Sequence, residues 1–165
     1  MGSEIVIRPV RNTDAESLGR VHVQCWHETY DHLISEAALQ KLSPKRLADL
    51  WSQWASLGDE YRQAAALIDG EIIGFASSGP ARDEDAPTGR QLYTLYLLKE
   101  FQGTGTGQQL FDAVTDAGES LYLWVAEDNP RARAFYKRNG LLPNGVVHEE
   151  PILGESIEEV MLVRE

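Results

Sequence analysis

The sequence is poor in cysteine. A single one, Cys25, occurs in 165 residues. No intrachain disulfide can form, and no cysteine-rich metal site exists. Cys25 reads as a small buried apolar residue rather than a nucleophile. No run approaches the 18 apolar residues of a membrane-spanning helix. No basic segment followed by an apolar stretch opens the chain, so no secretory signal is expected. A cytoplasmic location is the resulting expectation. Basic residues are also scarce, since 15 Lys and Arg face 26 Asp and Glu for a formal net charge of -11. That balance disfavours nucleic-acid and anionic-membrane partners and favours a cationic substrate.

What is present suffices for one domain spanning residues 1–165. The hydrophobic fraction is 42%, far above a disordered composition. A chain of this length can bury a core without metal or disulfide help.

Hydrophobic periodicity and punctuation give a provisional order of elements. Residues 4–10 alternate as a first strand, near an edge because of Pro9. Asp14 can cap a helix reaching about His32. Leu18, Val21, Cys25 and Thr29 form one stripe of it, and His22, Trp26 and Tyr30 form a second. Ser43-Pro44 opens another helix, to about Leu57. Asp69-Gly70 joins residues 62–68 and 71–77 as a hairpin. Residues 79–89 read as a loop and 91–98 as a strand, with Tyr93 and Tyr96 on opposite faces. A helix from Gly103 to about Ala117, a strand at 121–125 and a helix from Pro130 to about Asn139 follow. Gly140 suits the end of the last of these. Strands near 146–150 and 157–164 close the chain. The fold class is α/β (α+β mixed): a mixed sheet of about seven strands flanked by helices.

The segment Gln102-Gly103-Thr104-Gly105-Thr106-Gly107 stands between a strand and an amphipathic helix. Glycines there allow a tight turn that exposes N–H groups, and the helix start adds free donors and a favourable dipole. An anion can bind without a cationic side chain. No Lys-Ser/Thr pair follows the last glycine, so the P-loop pattern fails. The dinucleotide pattern fails as well, because Gln108 and Leu110 stand where it requires glycine.

Asn129-Pro130 reads as a cap followed by proline at the first helical position. Ala132, Ala134, Phe135, Tyr136 and Gly140 complete the segment. Alone, Asn129 is a cap and Tyr136 a packing residue.

Taken together, the two segments resemble the GNAT superfamily of acyl-coenzyme A dependent N-acyltransferases. Gln102, Gly105 and Gly107 match that family's Gln/Arg-x-x-Gly-x-Gly/Ala pattern. Asn129, the two alanines, Phe135, Tyr136 and Gly140 match its second pattern. The element order agrees from Ile5 to Arg164. The resemblance implies a GNAT-like sheet splayed between strands four and five, with the pantetheine arm of acetyl-CoA between them. It implies backbone pairing from Leu95 and Leu97. It further implies pyrophosphate capture by the amides of Gln102, Gly103, Thr104, Gly105, Thr106 and Gly107. Asn129 would bond to the coenzyme, and Tyr136 would protonate the departing sulfur.

An N-acetyltransferase acting on an amine is the first expectation, without a metal. A non-catalytic acyl-CoA binding or sensing domain is the alternative. A nucleotide scaffold unrelated to coenzyme A is opposed by the two failed patterns. His22, Trp26, Tyr30 and Tyr93 are candidates for binding the acceptor. His22, Tyr93, Glu100 and His148 remain open as the base. The family resemblance also implies that the late strands could pair in a homodimer.

Overall fold

The computed structural model describes residues 3–165. Seven strands form one sheet in the order β1-β2-β3-β4-β5-β7-β6. They are β1 (Ile5–Pro9), β2 (Arg62–Ile68), β3 (Glu71–Pro80), β4 (Arg90–Leu97), β5 (Leu121–Ala126), β6 (Leu142–Ile152) and β7 (Glu155–Arg164). The helices are α1 (Ala15–Tyr30), α2 (Glu36–Leu39), α3 (Pro44–Trp54), α4 (Thr106–Val114) and α5 (Pro130–Arg138). No helix among the described residues is long and apolar enough to cross a membrane.

The Asp69-Gly70 hairpin forms as expected, with φ values of 51° and 80° at the two turn residues. Such a primed turn matches the right-handed twist of its strands. β1 lies at the sheet edge, consistent with Pro9 at its end. Ser43 caps α3 by accepting the Arg46 N–H.

Several boundaries differ from expectation. Asp14 does not cap α1 with its side chain. Its carboxylate accepts two bonds from the Arg8 guanidinium, at 2.7 and 2.9 Å, and one from the Arg11 N–H. A 3₁₀ turn over Asn12–Asp14 therefore precedes the helix. α4 begins at Thr106 rather than Gly103, because Gly103 and Gly105 hold φ of 81° and 86°. A right-handed helix cannot include them. α2 went unforeseen. It is one turn long, capped by the Ser35 hydroxyl, and too short to show a period.

α1 and α3 cover one face of the sheet, where Leu18 and Trp51 meet Ala65 and Phe75. The two helices approach closely at Gly19, where a Cβ would lie 2.3 Å from the Pro44 carbonyl oxygen. Leu110, Phe111 and Val114 of α4 pack on the strands from the other side, with Ala64, Ala66 and Ala76.

One feature of the sheet makes the site. Among the described residues, β4 and β5 are its only parallel neighbours, and they pair through Gln91 and Tyr122 alone. Beyond that point they diverge, which is the splay the resemblance implies. On its other side β4 keeps its ladder with β3 down to Leu97. The backbone edge of Leu95 and Leu97 toward β5 is left without a strand partner.

Candidate active site

The opening between β4 and β5 is a cleft of about 600 Å³. It has a donor end at α4 and α5 and an acceptor end beneath α1.

At the donor end, Gly103, Gly105 and Gly107 line the cleft. Gly105 occupies the cap position of α4 and has no side chain to bond the first-turn amides. The first main-chain bond inward is Gln109 N–H to the Gly105 carbonyl. The N–H groups of Thr106, Gly107 and Gln108 thus have no intrahelical acceptor. The Thr104 and Thr106 hydroxyls bond each other at 2.8 Å, and Thr104 also donates to the Phe101 carbonyl. These bonds occupy both hydroxyls in shaping the turn. Gln102 donates its side-chain N–H to the Leu97 carbonyl at 3.3 Å, tying the turn to the end of β4.

α5 forms the opposite wall. Asn129 Oδ1 accepts the Ala132 N–H at 3.2 Å. Its oxygen is therefore a cap, and its side-chain N–H₂ remains as a donor at the cleft lining. Gln108 and Asn139 exchange two hydrogen bonds, at 2.8 and 3.1 Å, that hold α4 against α5. Ala134 is exposed, whereas Phe135 packs against the core. Arg131 and Arg138 also line the cleft and were not foreseen. Their seven-residue spacing puts both on one face of α5. In a chain of net charge -11, two arginines spaced seven apart in one helical segment were the available signal.

Tyr136 lies between the two ends and is 8% exposed. Burial pushes its phenol well above the ordinary tyrosine range, with Tyr30 nearby adding to the shift. The hydroxyl is protonated at neutral pH and suited to donate.

At the acceptor end the Tyr30 and Tyr96 hydroxyls are 2.8 Å apart, and both residues line the cleft. Burial raises the Tyr30 pKa to about 12 and pushes Tyr96 well above its usual value. Trp124 of β5 adds a wall. Its ring stacks on the His148 imidazole at 3.7 Å, and its indole N–H donates to Asp83 at 3.1 Å. Asp83 also accepts from the Tyr122 hydroxyl at 2.6 Å. The 81–89 segment is thereby fastened to β5 at this end.

The remaining acceptor and base candidates do not converge. His22 is buried among Trp51, Phe75 and Tyr96, away from the cleft lining. Its Nδ1 accepts the Trp51 indole N–H at 3.1 Å, and desolvation lowers its pKa to about 4. Trp26 packs edge-on against Tyr30, also outside the lining. Glu100 is exposed on the 3₁₀ turn after β4. Tyr93 reaches the cleft, yet its hydroxyl donates to the Pro80 carbonyl beneath the Arg82 guanidinium. It is the extra residue of a bulge between the Ser77–Thr94 and Ser78–Leu92 pairs. Alternation does not carry across a bulge, so Tyr93 and Tyr96 border the same cleft. His148 sits on β6 with Nε2 2.8 Å from Glu159 and 3.5 Å from Glu150.

A parallel pair of strands that separates over a helix N-terminus, with a buried phenol at the centre, defines a class of coenzyme-dependent acyl transferases. The comparisons agree. Residues 26–141 match the acetyltransferase (GNAT) family. YuaI of Bacillus subtilis, described as an uncharacterized N-acetyltransferase, is 32% identical over 131 residues, covering 76% of this chain and 74% of that protein. The probable N-acetyltransferase Rv2775 of Mycobacterium tuberculosis is 25% identical over 172 residues, 96% of this chain and 92% of its own. The fold is shared with PaiA N-acetyltransferase of Thermoplasma acidophilum, solved in complex with coenzyme A. That likeness has a TM-score of 0.64 at 24% identity and covers 95% of this chain and 98% of that one. This chain belongs to the GNAT family and is an acyl-CoA dependent acetyltransferase.

Proposed function

We propose that residues 1–165 form one N-acetyltransferase domain that moves the acetyl group of acetyl-CoA to a primary amine of a small molecule or peptide by direct attack. The observation that carries this reading is the alignment of three parts along one cleft: free amides at the start of α4, the edge of Leu95 and Leu97 that faces no strand, and the buried Tyr136 hydroxyl. The amides of the Gln102 to Gly107 turn take the pyrophosphate. Arg131 and Arg138 add charge beside it. The edge of β4 and the Asn129 N–H₂ hold the pantetheine arm.

The neutral amine then attacks the thioester carbon. A C–N bond forms, the carbonyl becomes an oxyanion, and its collapse breaks the C–S bond. Tyr136 gives its proton to the departing sulfur. Positioning supplies much of the rate, and the phenol adds general acid catalysis. No metal, nucleic acid or membrane enters this scheme. A homodimer across β6 is part of the proposal, since that edge strand exposes Leu142, Val146 and Val147.

The test is release of free coenzyme A thiol from acetyl-CoA with a panel of polyamines, aminoglycosides, amino acids and peptides with free N-termini. Turnover with one of these classes is expected. Tight coenzyme binding in calorimetry with no product from any amine would overturn the reading.

A further inference from the structure

An ammonium must lose a proton before its nitrogen can attack, and none of the four base candidates offers a free acceptor at the cleft. The structure places another carboxylate beside the cleft, behind its Trp124 and Tyr30–Tyr96 walls. Glu159 lies on β7 opposite Ala126 of β5 and His148 of β6. Ala126 packs in one cluster with Tyr30, and Tyr96 packs against that cluster. On the strand side, His148 bonds Glu159 and stacks on Trp124, which lines the cleft. The Glu159 side chain is 15% exposed, so its carboxylate is not sealed from solvent.

We infer that Glu159 is the acceptor-side base: its carboxylate docks an incoming primary ammonium behind the Tyr30–Tyr96 pair and takes its proton, with His148 as the positioning residue. This rests on the N-acetyltransferase reading. The acceptor it selects is a cationic amine. An N–H bond of the ammonium breaks and its proton passes to Glu159. The freed lone pair forms the C–N bond. The C–S electrons go to sulfur, which takes the Tyr136 proton. Glu159 later releases its proton to solvent, and the acetylated nitrogen loses its second proton to the Tyr136 phenolate.

The electrostatics are consistent with that role. Burial raises the Glu159 pKa, and the bond to His148 opposes the shift. The groups facing Glu159 are His148 and Glu150 from β6, Tyr30 from α1 and Tyr96 from β4. A carboxylate held above its usual range is a better base than an ordinary surface glutamate.

The same His148, Glu150 and Glu159 atoms lie within 4.8 Å of one another and could hold a divalent cation. The experiment separates the two uses. The native protein, E159Q, E159D and H148Q are assayed for thiol release with butylamine, putrescine, spermidine and a tetrapeptide across the pH range, with acetyl-CoA affinity measured in parallel. E159Q should lower kcat on the order of 10²-fold, leave coenzyme affinity unchanged and abolish the acid limb of the pH profile. E159D should recover part of the rate. H148Q should move the acid limb to higher pH, because the imidazole no longer holds the carboxyl down.

Native kcat and an unaltered acid limb in E159Q would overturn the assignment and leave the N-acetyltransferase reading standing. Loss of coenzyme binding in both Glu159 variants would overturn it too, since Glu159 would then serve the fold. Inactivation by a chelator, reversed by a divalent cation, would replace the base with a metal site. No turnover of any amine by the native protein would remove the N-acetyltransferase reading and this assignment together.

Discussion

The two ends of the cleft are built on opposite principles. The donor end uses main-chain amides and a helix start from one short run, Gln102 to Gly107, with a second short run, Asn129 to Gly140, beside it. The acceptor end uses side chains gathered from α1, β4 and β5, with the His148–Glu159 pair of β6 and β7 behind the Trp124 wall. Charge divides the same way. Arg131 and Arg138 line the cleft, whereas Glu150 and Glu159 gather on His148, which stacks against the Trp124 wall. A coenzyme of constant structure can be met by a fixed local motif. An acceptor that varies between proteins is met by side chains that can change without altering the frame.

Tyr136 stands between the ends, and its loss should have the largest effect. Tyr136→Phe is expected to lower kcat on the order of 10²-fold with acetyl-CoA affinity unchanged. Steady-state turnover beside calorimetry checks this, and equal turnover at saturating coenzyme would remove Tyr136 from the chemistry.

Gly105→Ala sharpens the comparison at the donor end. A side chain there meets open space, so only the φ of 86° is penalised. The cost is about 1–2 kcal/mol, seen as roughly tenfold weaker coenzyme binding if the mutant turn relaxes on its own, with kcat retained.

Arg131→Gln should weaken coenzyme binding by only a few fold, about 0.5–1 kcal/mol for an exposed charge. The loss should shrink as salt is added. The same substitution should leave the KM for amine unchanged, and a comparable change in both constants would blur the division between the ends.

Asp14→Asn is the control and should alter neither end. Its carboxyl is held below the usual range, chiefly by the Arg8 bond. A depressed folded-state pKa means stability present above the unfolded value, near pH 4, and lost as pH falls through the folded one. Chemical denaturation should therefore show a loss of about 1–3 kcal/mol at neutral pH. The gap between native protein and variant should close under strongly acidic conditions.

Legibility in the sequence followed the same division. The Asp69-Gly70 hairpin, the Ser43 cap, the Gly turn and the Asn129 helix start were readable because each is decided within a few residues. His22 looked like part of an acceptor stripe with Trp26 and Tyr30. Periodicity gives the face of a helix but not what that face meets, and here α3 covers His22 through Trp51. Tyr93 was placed by alternation, which a bulge interrupts. Glu159 was one acidic residue among 26, and nothing local marked it.

The sequence by itself determined the order of the strands and longer helices, the GNAT resemblance and the coenzyme turn, because glycine φ preferences, caps and periods act over one or two turns of chain. Only the tertiary structure decided which side chains share the acceptor end. Tyr30 and Tyr96 are 66 residues apart along the chain. Their contact depends on α1 docking on the sheet, and the pairing of His148 with Glu159 depends on the register of β6 against β7. Such positions follow from packing between distant segments, which no short stretch of sequence encodes.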